Sequence, residues 1–244
     1  MRVLSDAADA FRFLTRLPVP GRLDPARLGR SLAFFPLPGL VLGGALAGAA
    51  RLAEGRVAPP VAAALLVAGL AWATGGLHLD GLADVFDGLA AGHADRERAL
   101  RIMRDSRIGA HGAAALVLAL GAKTAAVAVL LAAGATWPLV LAPAVARFAA
   151  VGLVVGFPYA RPEGLGKAFH EGGGARELAV AAVITAAALA GAFPAALIPA
   201  AVALAAALAL AFRLRRTLGG LTGDVYGAAI ELAEVAFLVV AGIR

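Results

Sequence analysis

Residues 178–212, LAVAAVITAAALAGAFPAALIPAAVALAAALALAF, run for 35 positions without a charge. At a rise of about 1.5 Å per residue this is too long for one crossing of a hydrocarbon core about 30 Å thick. Proline cannot continue a helix, so Ala192-Phe193-Pro194 folds the run into a hairpin of two spans. Composition extends the reading to all 244 residues: 61% are hydrophobic and 16% charged, and mean hydropathy is +0.85. A soluble domain carries roughly 45–50% apolar and about 25% charged residues. Disorder, a nucleic-acid-binding tail and an ordinary cytosolic enzyme are therefore disfavoured, and no nucleic-acid partner is expected. The absence of cysteine excludes disulfides, thiolate metal sites and cysteine nucleophiles.

Other uncharged runs cover residues 31–50 and 57–79, and 108–160 is interrupted only by Lys123 and Arg147, with a break near 134–138. Residues 225–243 make a last, weaker span, because Glu231 and Glu234 lie inside it. The expected fold is all-α: a polytopic transmembrane bundle of about seven spans, forming one integral membrane domain over 1–244. Alternate connecting segments carry seventeen basic residues on one side and three, counting Arg244, on the other. By the positive-inside rule the amino terminus is cytoplasmic and the carboxyl terminus outside. The location is the cell membrane, the inner one where a cell has two. In residues 1–30, Val3, Leu4, Ala7, Ala8, Phe11 and Leu14 recur at helical spacing, which predicts an amphipathic interfacial helix stopped by Pro18 and Pro20. A solvated basic tail is the alternative.

The polar residues gather at the cytoplasmic face. In Asp80-Gly-Leu-Ala-Asp84-Val-Phe-Asp87-Gly88 the three carboxylates share one helical stripe. They repel unless a cation lies among them, and an oxygen-only ligand set suits Mg²⁺ or Mn²⁺. A helix cap with a solvated acidic turn would also use these residues. In Gly219-Gly-Leu-Thr-Gly223-Asp224-Val-Tyr-Gly227, Gly223 allows close approach to a phosphate and Asp224 offers a further metal oxygen. Arg104, Asp105 and Arg107, in Arg101-Ile-Met-Arg-Asp-Ser-Arg-Ile-Gly109, suit phosphate binding through the guanidinium fork, although positive-inside loops also collect arginines. Residues 157–170 suit either a substrate-contacting loop or a plain connector. Lys123 and Arg147, at membrane depth, are candidate substrate-binding cations. His78 falls off the acidic stripe, and His93, His111 and His170 lack metal-ligand spacing.

With Phe13-Leu-Thr-Arg-Leu-Pro-Val-Pro20, Gly76-Leu-His-Leu-Asp-Gly-Leu-Ala-Asp-Val-Phe-Asp-Gly88, Met103-Arg-Asp-Ser-Arg-Ile-Gly-Ala-His-Gly112 and Gly220-Leu-Thr-Gly-Asp-Val-Tyr-Gly227 in this order, the chain resembles the cobalamin synthases, also called adenosylcobinamide-GDP ribazoletransferases. The resemblance covers nearly the whole chain. It implies an integral membrane, Mg²⁺-dependent phosphotransferase in the last steps of adenosylcobalamin synthesis. Such an enzyme joins adenosylcobinamide-GDP to α-ribazole, or its 5′-phosphate, and releases GMP. The family's acidic motif falls on Asp80, Asp84 and Asp87, and its glycine-aspartate motif on Asp224. The expected roles are Asp80, Asp84 and Asp87 as catalytic residues, these three with Asp224 as metal ligands, and the arginines against phosphate. A CDP-alcohol phosphotransferase lacks support, since no Ala-Arg follows the first Asp-Gly, and a transporter lacks support because no internal repeat is found. The expected partners are the two substrates and the lipid bilayer, with a homo-oligomer left open.

Overall fold

The computed structural model describes residues 2–91 and 95–243, so His93 and Arg244 lie outside the described residues. Among those described, helices and short connections account for the chain, with one isolated parallel β-bridge between Tyr159 and Leu221. The helices are α1 (Arg2–Leu14), α2 (Leu28–Ser31), α3 (Pro36–Ala53), α4 (Pro59–Ala73), α5 (Leu77–Ala91), α6 (Arg96–Ile102), α7 (Ala110–Ala132), α8 (Trp137–Gly156), α9 (Leu165–Gly172), α10 (Ala175–Ala190), α11 (Leu197–Leu218) and α12 (Gly223–Ala241).

Four helices, α3, α7, α8 and α11, are long and apolar enough to cross a bilayer. Two bent pairs, α4 with α5 at 90° and α9 with α10 at 94°, raise the number to six if each counts as one span. The protein is thus multi-pass. The expected turns fall where the sequence put them: α7 gives way to α8 at Gly134, and α10 to α11 around Pro194. The difference from seven spans lies in α12. It has 19 residues but carries Asp224, Glu231 and Glu234, too many carboxylates for a lipid-facing helix. It packs against α5, α7, α8 and α11, so protein rather than lipid surrounds its acids.

Helix α1 forms as the periodicity predicts and ends at Leu14, ahead of Pro18. Val3 and Leu4 are exposed, while Asp6 and Asp9 are buried against the following segment. Arg30 pairs with Asp6 at 3.2 Å and Arg27 with Asp9 at 2.8 Å. These pairs bring Phe13 against Phe35 and Phe169, with ring centroids 6.2 and 4.7 Å away. The bend before α5 is made by Gly75 and Gly76, both at positive φ (+68° and +72°), a backbone region that glycine adopts without steric cost. The apolar run of α4 ends there, and α5 carries its acids after the bend.

Candidate active site

Spacing on α5 places Asp80 and Asp84 one helical turn apart, Asp80 exposed and Asp84 half-buried. Helix α12 crosses α5 so closely that a Cβ on Gly81 would lie 2.6 Å from the Asp224 carbonyl oxygen. Glycine at 81 is therefore what admits Asp224 to the neighbourhood of Asp80 and Asp84. Thr222 caps α12, accepting from the Val225 amide and donating its hydroxyl to Asp224 Oδ2 at 3.2 Å. The bridge between Tyr159 and Leu221 is sealed by Ala160 N donating to Leu221 O at 2.7 Å and Leu221 N to Pro158 O at 2.8 Å. It clips the 157–161 segment to the start of α12 and sets Arg161 Nη2 2.8 Å from Asp224 Oδ2.

The electrostatics follow from this crowding. Burial, then the like charges of Asp80 and Asp224, push the Asp84 carboxyl up to about 7, with Arg161 opposing. Asp224 is also raised, first by burial, against the pull of Arg161 and the Thr222 hydroxyl.

Asp87 lies on the same stripe but has partners of its own. Its Oδ2 accepts from the Gly109 amide at 2.7 Å and its Oδ1 from the Gly112 amide at 2.8 Å, which caps the amino terminus of α7. In the loop before α7, Arg107 grips Asp105 with its Nη2 2.6 Å from Oδ2 and its Nε 3.0 Å from Oδ1. This holds the Asp105 carboxyl down to about 2.

Two clefts open on either side of Asp80. One, of about 680 Å³, is bordered by Asp80, Asp84, Arg104, Asp105, Ser106 and Arg107. The other, of about 250 Å³, is bordered by the polar Asp80, Gly223, Asp224 and Arg161 and by the aromatic Phe13, Phe35, Tyr159 and Phe169. Seven of the expected site residues (Asp80, Asp84, Asp224, Arg104, Asp105, Arg107 and Gly223) thus border one or other of two clefts that share Asp80.

Lys123 and Arg147 border neither cleft. Lys123 Nζ lies 2.5 Å from Glu231 and 2.7 Å from Glu234, and Arg147 Nη1 lies 2.7 Å from the other oxygen of Glu234. The two intramembrane cations therefore meet the two α12 glutamates as a buried, charge-balanced cluster. This explains how Glu231 and Glu234 are tolerated within the bundle. His170 sets Nδ1 3.0 Å from the Val154 carbonyl, and His111 is exposed at the start of α7.

Sequence reasoning flagged the 157–170 segment without singling out Arg161, and it missed the aromatic wall. A lone arginine in a Pro-Gly loop was the available signal for the first. The wall is drawn from α1, the α3 entry and α9, so no local spacing announces it.

Among the described residues no three His, Cys, Asp or Glu side chains converge into a metal site by themselves. Mg²⁺ nevertheless needs only one or two carboxylates when water and substrate phosphates complete its shell. The clustered, mutually repelling Asp80, Asp84 and Asp224 have the donor chemistry for that.

A family model described as cobalamin-5-phosphate synthase matches residues 6–242. The chain is 48% identical over 232 residues to an adenosylcobinamide-GDP ribazoletransferase of Geotalea daltonii, covering 93% of this chain and 92% of that one. It is 46% identical to the protein of that name from Syntrophobacter fumaroxidans, covering 94% of each chain. With the protein of that name from Pseudomonas syringae pv. syringae it shares 42% identity, covering 94% of this chain and 95% of that one. No solved structure matches. A match to the family model from end to end, with the acidic and glycine motifs brought together at one site, shows that the chain belongs to the cobalamin-5-phosphate synthase family.

Proposed function

We propose that this chain transfers the adenosylcobinamide phosphate group of adenosylcobinamide-GDP to α-ribazole, or its 5′-phosphate, with release of GMP. The observation that carries this reading is the position of Asp80 between two clefts of opposite character. One is charged and lined by arginines; the other is walled by aromatic rings. A reaction joining a diphosphate donor to an aromatic nucleoside acceptor needs two such compartments meeting at one wall.

Arg104 and Arg107 would pair with the donor's phosphates, since a guanidinium fork matches phosphate oxygens. The acceptor hydroxyl oxygen forms a bond to the phosphorus attached to cobinamide. The bond from that phosphorus to the bridging oxygen breaks, and GMP leaves with the oxygen and its electron pair. The hydroxyl proton passes to an aspartate of the cluster. Transfer of this kind depends mainly on positioning and on offsetting charge. Asp80 and Asp84, with Asp224 beside them, are the carboxylates that would hold Mg²⁺. When bound, the ion neutralises charge on the diphosphate.

The partition of basic residues, seventeen to three with a seventh span and eighteen to two without it, supports a cytoplasmic position for this site in the cell membrane, the inner one where a cell has two.

The reaction is tested by incubating the purified chain in detergent with both substrates and Mg²⁺, and resolving GMP and the joined corrinoid by chromatography. The two products are expected in equal amounts, and Asp84→Asn is expected to lower the rate by at least about 10³-fold. GMP released without a joined corrinoid, or neither product, would overturn the assignment.

A further inference from the structure

We infer that the smaller cleft, walled by Phe13, Phe35 and Phe169 and bordered also by His78 and Tyr226, is the binding pocket for the acceptor nucleoside. This rests on the transfer reaction proposed above and adds which substrate goes where.

Three observations carry it. First, Phe35 and Phe169 pack edge-to-face with centroids 5.4 Å apart, and Phe13 is tilted against Phe169 and stacked with Phe35. Phe35 and Phe169 are nearly buried, yet both border the cleft. A wall of this kind favours a flat apolar ring over an ionic group. Second, two polar side chains at the cleft are buried with nothing to bond to. His78 is 2% exposed and Tyr226 7%, and neither imidazole nitrogen nor the phenol oxygen has a hydrogen-bond partner among the described residues. Buried polar groups are nearly always satisfied, so unpaired ones that border a cleft offer hydrogen-bond partners to a molecule bound there. Imidazole and phenol each donate or accept, which suits the ring nitrogen of a heterocycle or a sugar hydroxyl. Third, Asp80 and Asp224 border the same cleft as the phenylalanines. A ligand with its base against the phenylalanines and its sugar toward the aspartates presents a hydroxyl to the neighbouring cleft.

The same logic sends the other substrate elsewhere. Arg104 and Arg107 border the larger cleft and not this one, where the lining cation Arg161 is already paired with Asp224, so a diphosphate has its partners there. The occupant is thus a nucleoside with a neutral aromatic base, the class to which α-ribazole belongs.

The test measures α-ribazole binding to the detergent-purified full chain by equilibrium dialysis without donor, together with KM for each substrate. Tyr226→Phe and Phe169→Leu are expected to weaken α-ribazole binding about five- to tenfold, the loss of one hydrogen bond or of ring contact. KM for adenosylcobinamide-GDP should stay within about twofold in both. Arg107→Ala should show the reverse pattern. Tyr226→Phe removes a single oxygen, so it carries the test alone should Phe169→Leu not fold. Unchanged α-ribazole binding in Tyr226→Phe, or a parallel rise in donor KM, would overturn the assignment. Absence of GMP formation by the unaltered chain would instead count against the reaction, while dialysis would still report on the cleft.

Discussion

Arg161 Nη2 lies 2.8 Å from Asp224 Oδ2, joining a loop between α8 and α9 to the first turn of α12. The contact neutralises one carboxylate of the cluster and leaves Asp80 and Asp84 as the pair that would hold the cation in the proposed reaction. Arg161 opposes the rise in the Asp84 carboxyl without cancelling it. The cluster is thus poised between protonation and cation binding.

Stability should register that poise. Below about pH 4 Asp84 is protonated in both the folded and the unfolded chain; from there to about 7 it is protonated only when folded. Its stabilising contribution is full at acid pH and lost as pH rises through 7. In EDTA at pH 8, Asp84→Asn should melt about 2–4 °C above the unaltered chain, since solvent screening of a half-exposed carboxylate limits the effect to ~1 kcal/mol. At pH 4 the difference should largely vanish, and Mg²⁺ should narrow it at pH 8. A melting scan in detergent showing a lower Tm for the variant at pH 8 would contradict this.

Asp87 should behave differently from its stripe-mates. Losing its bonds to the Gly109 and Gly112 amides should cost about 1–2 kcal/mol whether or not Mg²⁺ is present. Asp87→Ala is therefore expected to lower Tm, and Asp87→Asn, which keeps one acceptor, to lower it less. An unaltered Tm coupled to a lost Mg²⁺ response would assign Asp87 to the metal instead.

The buried cluster on α12 gives a third expectation. Lys123→Met leaves Glu231 and Glu234 facing Arg147 alone, and breaking a buried pair this way costs about 3–5 kcal/mol. Adding Glu231→Gln should recover much of that loss. A Lys123→Met chain that keeps its Tm but loses affinity for either substrate would return Lys123 to the binding site.

Topology can be read directly, because the chain has no cysteine of its own. Glu54→Cys, between α3 and α4, should react with a membrane-impermeant maleimide added outside cells. Glu163→Cys, in the loop carrying Arg161, should react only after the membrane is opened. The opposite pattern would reverse the orientation drawn from the basic residues.

Much of this was legible in the sequence because its causes are local. Uncharged runs and proline breaks locate the spans, and i, i+4 spacing pairs Asp80 with Asp84 on one face. What stayed hidden depends on distant segments meeting. Asp87 shares the stripe but is turned to another helix's amides. Lys123 and Arg147 looked like ligand sites because Glu231 and Glu234 read only as flaws in the last span. The aromatic wall is assembled from Phe13, Phe35 and Phe169, which no periodicity links.

The central claim is that Asp80 and Asp84 grip a divalent ion beneath the donor's diphosphate, and paramagnetic Mn²⁺ tests it most directly. Mn²⁺ titrated into the full chain in nanodiscs with adenosylcobinamide-GDP should lose its free-ion resonance signal as it binds. In Asp84→Asn its affinity should fall by at least about tenfold, ~1.4 kcal/mol. Equal Mn²⁺ binding by the unaltered chain and by Asp84→Asn would contradict the claim.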